Sequence, residues 1–123
     1  NIFERINKKH KLKQQLIPYF ISSHPGCTEE DMAELATITK DLDFKLEQIQ
    51  DFTPSPMTLA TEMYYTGYHP YTLKKVYSAQ SRRGRDNQRQ FFFWYDRKNK
   101  QSIIKSLRKM KRCDLIEKLY PKR

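Results

Sequence analysis

The sequence YFISSHPGCTEED, residues 19–31, joins an apolar segment to an acidic one. The apolar run at 16–21 predicts a strand that is buried on both faces, as in a parallel sheet. The His-Pro-Gly turn at 24–26 would end this strand. Thr28 then stands where it can cap a helix, with Asp31 at the reciprocal position of a capping box. The stretch therefore predicts a strand, a turn and a helix in direct succession.

The residues that follow extend this pattern to a βαβ unit. The expected helix has an apolar stripe at spacings of three and four, formed by Met32, Leu35, Ala36, Thr39 and Leu42. The sequence FKLEQIQDF, residues 44–52, alternates as a second strand with polar groups on both faces, and its inward face stays undecided. A strand, a helix and a second strand in one sheet place the two strands in parallel, with a right-handed crossover.

The carboxyl ends of two parallel strands meet at one edge of their sheet, and α/β proteins bind ligands at that edge. The first predicted strand ends in SSHPG and the second ends in DFTPSP. We therefore expect these two turns to lie side by side at an edge that could bind a ligand.

The rest of the chain predicts helices separated by a loop, so the expected fold class is α/β with a mostly helical, basic C-terminal extension. A short helix is expected at 57–65 before a tyrosine-rich turn, and a basic loop at 74–90. Amphipathic patterns predict helices at 98–111 and 112–120. The sequence FFFWY at 91–95 fits a hydrophobic core or a stacking platform for bases. We favour the core, because five successive aromatic side chains cannot all face one ligand.

Positive charge is concentrated in the second part of the chain. Residues 1–73 hold 7 Lys and Arg against 10 Asp and Glu, whereas residues 74–123 hold 17 against 4. The basic part could bind RNA or another polyanion, or it could be a solvated surface, and the sequence leaves both interpretations open.

The two cysteines, Cys27 and Cys113, are far apart in the sequence and have no CxxC spacing. This argues against a disulfide framework and fits a reducing, cytoplasmic environment. No apolar stretch reaches the length that spans a bilayer. The chain starts at Asn1 and not at a methionine, from which we expect it to be part of a longer protein.

His24 and Cys27 raise three possibilities: a metal site, a nucleophile with its base, or a turn followed by a helix cap. A zinc or iron site needs three or four ligands, and the other two histidines have no periodic relation to this pair. A cysteine at a helix N-terminus can have a lowered pKa, but Cys-His catalysis also needs a base and an oxyanion site. We favour the turn and cap.

Three parts of the sequence together resemble one enzyme family. YFISSHPGCTEED resembles the late strand-turn-helix of radical S-adenosyl-L-methionine (SAM) enzymes, and QDFTPSPMTLAT resembles the final barrel strand of that superfamily. EMYYTGYHPYTL and QRQFFFWY resemble the C-terminal extension of one branch, the YgiQ-like radical SAM proteins. The resemblance covers nearly the whole chain, and the order and spacing of its parts make it more specific than any part alone.

The resemblance implies the end of a partial TIM-type barrel at residues 1–56 and a basic extension of the family at 57–123. Members of the family hold a [4Fe–4S] cluster on a CxxxCxxC loop, and the cluster reduces SAM to release a 5′-deoxyadenosyl radical. This sequence contains no CxxxCxxC, so we expect no cluster, no metal ligand and no catalytic residue on these residues alone. In the intact protein the resemblance places four residues near SAM: Ile21, Ser23, Phe52 and Thr53.

Two hypotheses follow from these observations. In the first, the chain is the C-terminal portion of a radical SAM iron–sulfur enzyme of unknown substrate and is not catalytic alone. In the second, it is a non-catalytic basic module that binds RNA or another polyanion through residues 74–123. Under the first hypothesis, two strands without their barrel neighbours would have exposed edges, through which the isolated chain could self-associate.

Overall fold

The computed structural model describes residues 2–46 and 48–121. Within them the protein is mixed α/β and mostly helical, with one small parallel sheet of two strands. In chain order the elements are α1 (Ile2–Lys9), β1 (Ile21–Ser22), α2 (Glu29–Asp41), β2 (Gln50–Asp51), α3 (Leu59–Thr66), α4 (Arg82–Phe92), α5 (Arg97–Lys109) and α6 (Cys113–Leu119). No helix in the described part of the chain combines the length and apolar character that a membrane crossing requires.

The two strands and α2 form the predicted βαβ unit. β1 and β2 pair in parallel, with Ile21 opposite Gln50 and Ser22 opposite Asp51. α2 follows β1 in the chain and precedes β2, so it is the crossover connection. The predicted order of strand, helix and parallel strand is therefore confirmed.

A capping box begins α2, as the sequence predicted. The backbone N–H of Asp31 donates to Thr28 Oγ1 at 3.2 Å, and the backbone N–H of Thr28 donates to Asp31 Oδ2 at 2.8 Å. Glu29 and Glu30 lie in the first turn, where their charge is favourable at the positive end of the helix dipole. The start of α2 is thus determined by residues within one turn of each other.

The hydrophobic core lies between α2, α4, α5 and α6. Its buried side chains are Met32, Ala33, Ala36, Leu46, Phe91, Phe92, Ile103, Leu107, Leu115 and Leu119. The predicted stripe of α2 supplies part of this set, but Leu42 is 59% exposed because the helix ends at Asp41. The first two residues of FFFWY are fully or nearly fully buried, which confirms that this segment belongs mainly to the core.

The strands are shorter than predicted. β1 begins only at Ile21, and the prediction that 16–21 is buried on both faces is wrong, since Ile17 is 87% exposed and Tyr19 is 69% exposed. Pro18 has no N–H to donate and therefore interrupts a strand ladder. Within the described residues β1 also pairs with β2 alone, so its other edge has no strand partner.

The prediction of a loop at 74–90 is wrong in its second half, because α4 begins at Arg82. Ser81 caps this helix, since its Oγ accepts a hydrogen bond from the backbone N–H of Gly84 at 3.0 Å. The two buried phenylalanines at the end of α4 anchor it in the core. The cap and the anchor outweigh the charged, glycine-containing composition that suggested a loop.

The remaining helices, α3, α5 and α6, lie where the sequence predicted them, within a few residues. The core joins both predicted parts of the chain, because α2 packs against α4 and α6. Arg112 adds a polar link to α2, since its guanidinium donates to Glu34 at 2.8 Å and also to Glu30. The proposed division of the chain at residue 56 stays a prediction.

Candidate functional site at the strand ends

β1 and β2 end at one edge of the sheet, which we call the strand-end edge (residues 21–24 and 51–53). Beyond the paired residues, the backbone N–H of Phe52 donates to the carbonyl of Ser22 at 2.8 Å. The rings of His24 and Phe52 meet edge to face, with centroids 5.1 Å apart. The prediction that the SSHPG and DFTPSP turns lie side by side is therefore confirmed.

Ser23 directly follows β1 and is fully buried. Its φ of 61° lies in the left-handed region, which turns the chain out of the strand direction. The Oγ of Ser23 is buried and has no hydrogen-bond partner among the described residues. A buried hydroxyl without a partner costs about 1–3 kcal/mol, so this position lowers the stability of the fold.

Gln88 of α4 binds both ends of the turn that follows β1. Its Oε1 accepts from the backbone N–H of Ser23 at 3.0 Å, and its Nε2 donates to the carbonyl of Cys27 at 2.7 Å. Sequence reasoning missed Gln88, because a polar residue in a charged segment carries no hydrophobic periodicity. The only available signal was Ser81, whose type and position suit a helix cap just before this segment.

One side of the sheet faces α4. The ring of Phe20 contacts that of Phe92, with centroids 5.8 Å apart. The hydroxyl of Ser22 donates to the carboxylate of Asp51, which lies 3.5 Å from the guanidinium of Arg89. Both strands therefore direct one set of alternate side chains towards the helices.

The opposite side of the sheet, which we call the open face, carries Ile17, Tyr19, Ile21 and Gln50. All four are exposed, and the hydroxyl of Tyr19 donates to Oε1 of Gln50. The sequence alone left the orientation of the second strand undecided. The structure assigns Asp51 to the helix side and Gln50 to the open face.

The four residues predicted to lie near a cofactor share one end of the sheet but differ in environment. Ser23 is buried, whereas Phe52 is half-buried between two other rings. Ile21 belongs to the open face and is 42% exposed. Thr53 is exposed, and its hydroxyl donates to the carbonyl of Asp51 at 3.4 Å. Their role in binding stays a prediction.

The segment from α3 to residue 77 also packs against the strand-end edge. The ring of Tyr64 lies 5.5 Å from that of Phe52, centroid to centroid. The backbone N–H of Gly26 donates to the carbonyl of Tyr77 at 2.8 Å. Sequence reasoning assigned Tyr64 and Tyr77 to an extension without placing them here, because contacts between distant segments leave no local pattern.

Cys27 is a neutral thiol at physiological pH. Burial, and secondly the carboxylate of Asp31, raise the pKa of this thiol to about 11. These effects outweigh the positive end of α2, so the structure offers no activated nucleophile at Cys27. The Nδ1 of His24 lies 2.9 Å from the carbonyl of Pro25. In the part of the chain that the structure describes, no three His, Cys, Asp or Glu side chains are grouped to hold a metal ion.

Comparison with known proteins finds relatives over most of this chain. It is similar to UPF0313 proteins from Bacteroides thetaiotaomicron (65% identical over 122 residues, 99% of this chain and 20% of the relative) and Porphyromonas gingivalis (68% over 118 residues, 96% and 19%). A UPF0313 protein from Methanocella arvoryzae is 45% identical over 114 residues, 93% of this chain and 19% of the relative. The chain thus spans about a fifth of the length of these curated relatives. No solved structure matches it.

One family model matches residues 47–119, which include β2 and the helices α3 to α6. The match covers more than half of the chain. The chain therefore belongs to the family described as Domain of unknown function (DUF3362).

Proposed function

We propose that this chain is the C-terminal part of a cytoplasmic, YgiQ-like radical SAM enzyme of unknown substrate. It would supply the last two strands of a partial TIM-type barrel, together with the extension that follows them. The observation that carries this proposal is the parallel β1–β2 pair, with α4 on one side, an open face on the other and both turns at one edge.

The two sides of the sheet match the requirements of a barrel. In a TIM-type barrel, helices surround the strands and alternate side chains point into the interior. The open face would then line that interior, where Tyr19 and Gln50 provide polar groups beside the apolar Ile17 and Ile21. The ligand site of such a barrel lies at the carboxyl ends of its strands, which here is the strand-end edge.

The size of the relatives agrees with a role as one part of a larger protein. The chain matches about a fifth of each UPF0313 relative. We place the CxxxCxxC loop and the other barrel strands in the remainder of the intact protein. The [4Fe–4S] cluster would bind there, and SAM would bind between that loop and the strand-end edge.

The residues at the strand-end edge suit the adenosine group of SAM. Such a group needs apolar contacts and a few fixed hydrogen bonds. Ile21 and Phe52 offer apolar surface and Thr53 offers an exposed hydroxyl group, while the buried Ser23 would shape the backbone beneath them. Gln88 would keep Ser23 in position through its backbone hydrogen bond. When bound beside the cluster, SAM would supply hydrogen-atom abstraction through the 5′-deoxyadenosyl radical.

The substitution Thr53→Ala in the intact protein tests this assignment. We expect the Kd for SAM to rise about fivefold to tenfold, because one hydrogen bond to the ligand is lost. The iron content should stay unchanged, since Thr53 would not contact the cluster. Equilibrium dialysis with labelled SAM measures the affinity, and iron analysis checks the cluster.

Ser102→Ala is the control, because it also removes one exposed hydroxyl, from a residue of α5 outside the strand-end edge. It should leave the SAM affinity unchanged. An unaltered Kd in the Thr53→Ala protein would remove Thr53 from the site, and an equal loss in both variants would point to a general effect on folding.

A second candidate is the non-catalytic binding of RNA or another polyanion through residues 74–123. It is favoured by the exposure of basic side chains along α4 and α5, among them Arg82, Arg83, Lys105 and Arg108. A loss of RNA binding well below physiological ionic strength would reduce these side chains to a solvated surface.

A further inference from the structure

We propose that a pocket formed by α2, α5, α6 and the segment before β2 binds a nucleotide. The pocket has a volume of about 500 Å³, within the range of small-molecule sites. We call it the cationic pocket; the lining residues that would contact a ligand are Lys45, Trp94, Tyr95, Arg97, Lys100 and Tyr120. None of the residues that line this pocket belongs to the strand-end edge, so this site is distinct from the one proposed for SAM.

The charges around the cationic pocket favour an anion. Lys45, Arg97 and Lys100 are exposed cations, and Lys40 is a fourth cation in the lining. Lys40 is already engaged, since its Nζ donates to the carbonyl of Leu119 at 3.0 Å. The three exposed cations are therefore the ones that could contact a phosphate group.

The lining also contains two carboxylates, which do not cancel this charge. Asp96 is engaged as the N-cap of α5, where it accepts from the backbone N–H of Lys98 at 3.0 Å. Asp43 is exposed at the turn after α2. The lining therefore carries four cations against two carboxylates. The 13-residue helix α5 begins here, and the positive end of its dipole adds to the field.

The aromatic side chains of the pocket are held in fixed positions. The hydroxyl of Tyr120 donates to the carbonyl of Trp94 at 2.8 Å, and the hydroxyl of Tyr95 donates to the carbonyl of Leu46. The rings of Trp94 and Tyr95 stand perpendicular, with centroids 5.8 Å apart. Lys100 lies 5.2 Å from the centre of the Tyr120 ring. Cations and rigid aromatic surfaces thus occur together.

Trp94 lines the cationic pocket and is half-buried. Its indole N–H is buried, and within the described residues it has no hydrogen-bond partner. Because a buried N–H is out of reach of a ligand in the pocket, Trp94 would contribute through the surface of its ring.

These features together select a nucleotide over simpler ligands. A free phosphate would use the cations and leave the aromatic surfaces without a role, and a neutral aromatic molecule would do the reverse. A base stacked on an aromatic side chain, with its phosphate beside Arg97 and Lys100, uses both. A free nucleotide and a nucleotide within single-stranded RNA share this chemistry. The inference does not depend on the proposed radical SAM function.

Fluorescence titration of the 123-residue chain tests the proposal, because Trp94 is its only tryptophan. The probes are AMP, adenosine, inorganic phosphate and an octamer of riboadenylate. We expect AMP to change the Trp94 emission saturably, and adenosine and phosphate to bind at least about tenfold more weakly. If the octamer binds at least about tenfold more tightly than AMP, the natural ligand is a nucleotide within RNA. If the octamer and AMP bind equally tightly, the natural ligand is a free nucleotide.

Charge-reversal variants distinguish AMP binding in the cationic pocket from nonspecific attraction between a basic protein and an anion. Arg97→Glu and Lys100→Glu should each weaken AMP binding about tenfold or more. Lys105→Glu changes the same charge on the same helix outside the pocket and should leave binding within about twofold. Circular dichroism confirms that each variant is folded.

Three results would overturn the proposal. One is the lack of a saturable Trp94 response to AMP or the octamer at millimolar concentration. Another is phosphate binding as tight as that of AMP, because the aromatic surfaces would then contribute nothing. The third is an equal loss of binding in Lys105→Glu and Arg97→Glu, which would show attraction without a defined site.

Discussion

Burial decides the chemistry of Cys27. The residue precedes a helix whose positive end would favour a thiolate, but partial burial and the carboxylate of Asp31 favour the neutral thiol. The folded-state pKa of about 11 exceeds the ordinary value of 9.0. Below pH 9 the thiol is protonated in both the folded and the unfolded chain. Between these values the unfolded chain loses the proton first, so the contribution of Cys27 to stability falls as the pH rises.

We therefore predict slow alkylation of Cys27 in the native chain. At pH 8, iodoacetamide should modify it about 100-fold more slowly than in the denatured chain, because each unit of pKa changes the thiolate fraction about tenfold. The native rate should rise with pH until the pH approaches the pKa. Mass spectrometry of a Cys113→Ser variant follows Cys27 alone.

A Cys27→Ser variant is the control, because it reports the exposed Cys113 under the same conditions. Equal alkylation of Cys27 in the native and denatured chains at pH 8 would contradict the account, since it would require an accessible thiolate in the folded protein.

The separation of interacting residues in the sequence determined which of them could be predicted. Thr28 and Asp31 are three positions apart, and their capping box was predicted from the sequence. Ser23 and Gln88 are 65 positions apart, so the burial of Ser23 and its fixed backbone could not be predicted. The resemblance placed Ser23 at the edge of interest, but only the fold shows that its hydroxyl is buried without a partner among the described residues.

The same distinction holds for whole elements. α2 was predicted because its cap and apolar stripe are local features of the sequence. The lengths of β1 and β2 depend on which neighbours pair with them, and sequence periodicity over 16–21 and 44–52 overestimated both. α4 was taken for a loop because its stability comes from a cap and from core contacts at its end, while its composition is charged.

The open face of the sheet predicts self-association of the isolated chain. Ile17 is 87% exposed, and the two strands lack further neighbours among the described residues. Exposed strand edges beside an apolar face pair readily with a second copy. We expect a concentration-dependent dimer in sedimentation equilibrium, and we expect Ile17→Asp to weaken it about tenfold or more without unfolding the chain.

Met57→Asp is the control, since Met57 is also a highly exposed apolar residue but is not part of the open face. It should leave dimerisation unchanged. A chain that stays monomeric at all concentrations, or an Ile17→Asp variant that dimerises like the unmodified chain, would show that the open face does not mediate association.

At the scale of the whole molecule, the fold separates two regions with different chemistry. The segment from α3 to residue 77 packs against the strand-end edge. We propose that this edge binds SAM in the intact protein. The cationic pocket is built from α2, α5, α6 and the segment before β2. A shared core connects them, because α2 packs against both α4 and α6.

Anaerobic iron–sulfur reconstitution of the intact protein tests the central claim most directly. We predict about one [4Fe–4S] cluster per intact chain and release of 5′-deoxyadenosine from SAM on reduction, whereas residues 1–123 alone should bind no stoichiometric cluster. An intact protein that takes up no cluster and cleaves no SAM would contradict the account, as would a stable cluster on residues 1–123 alone.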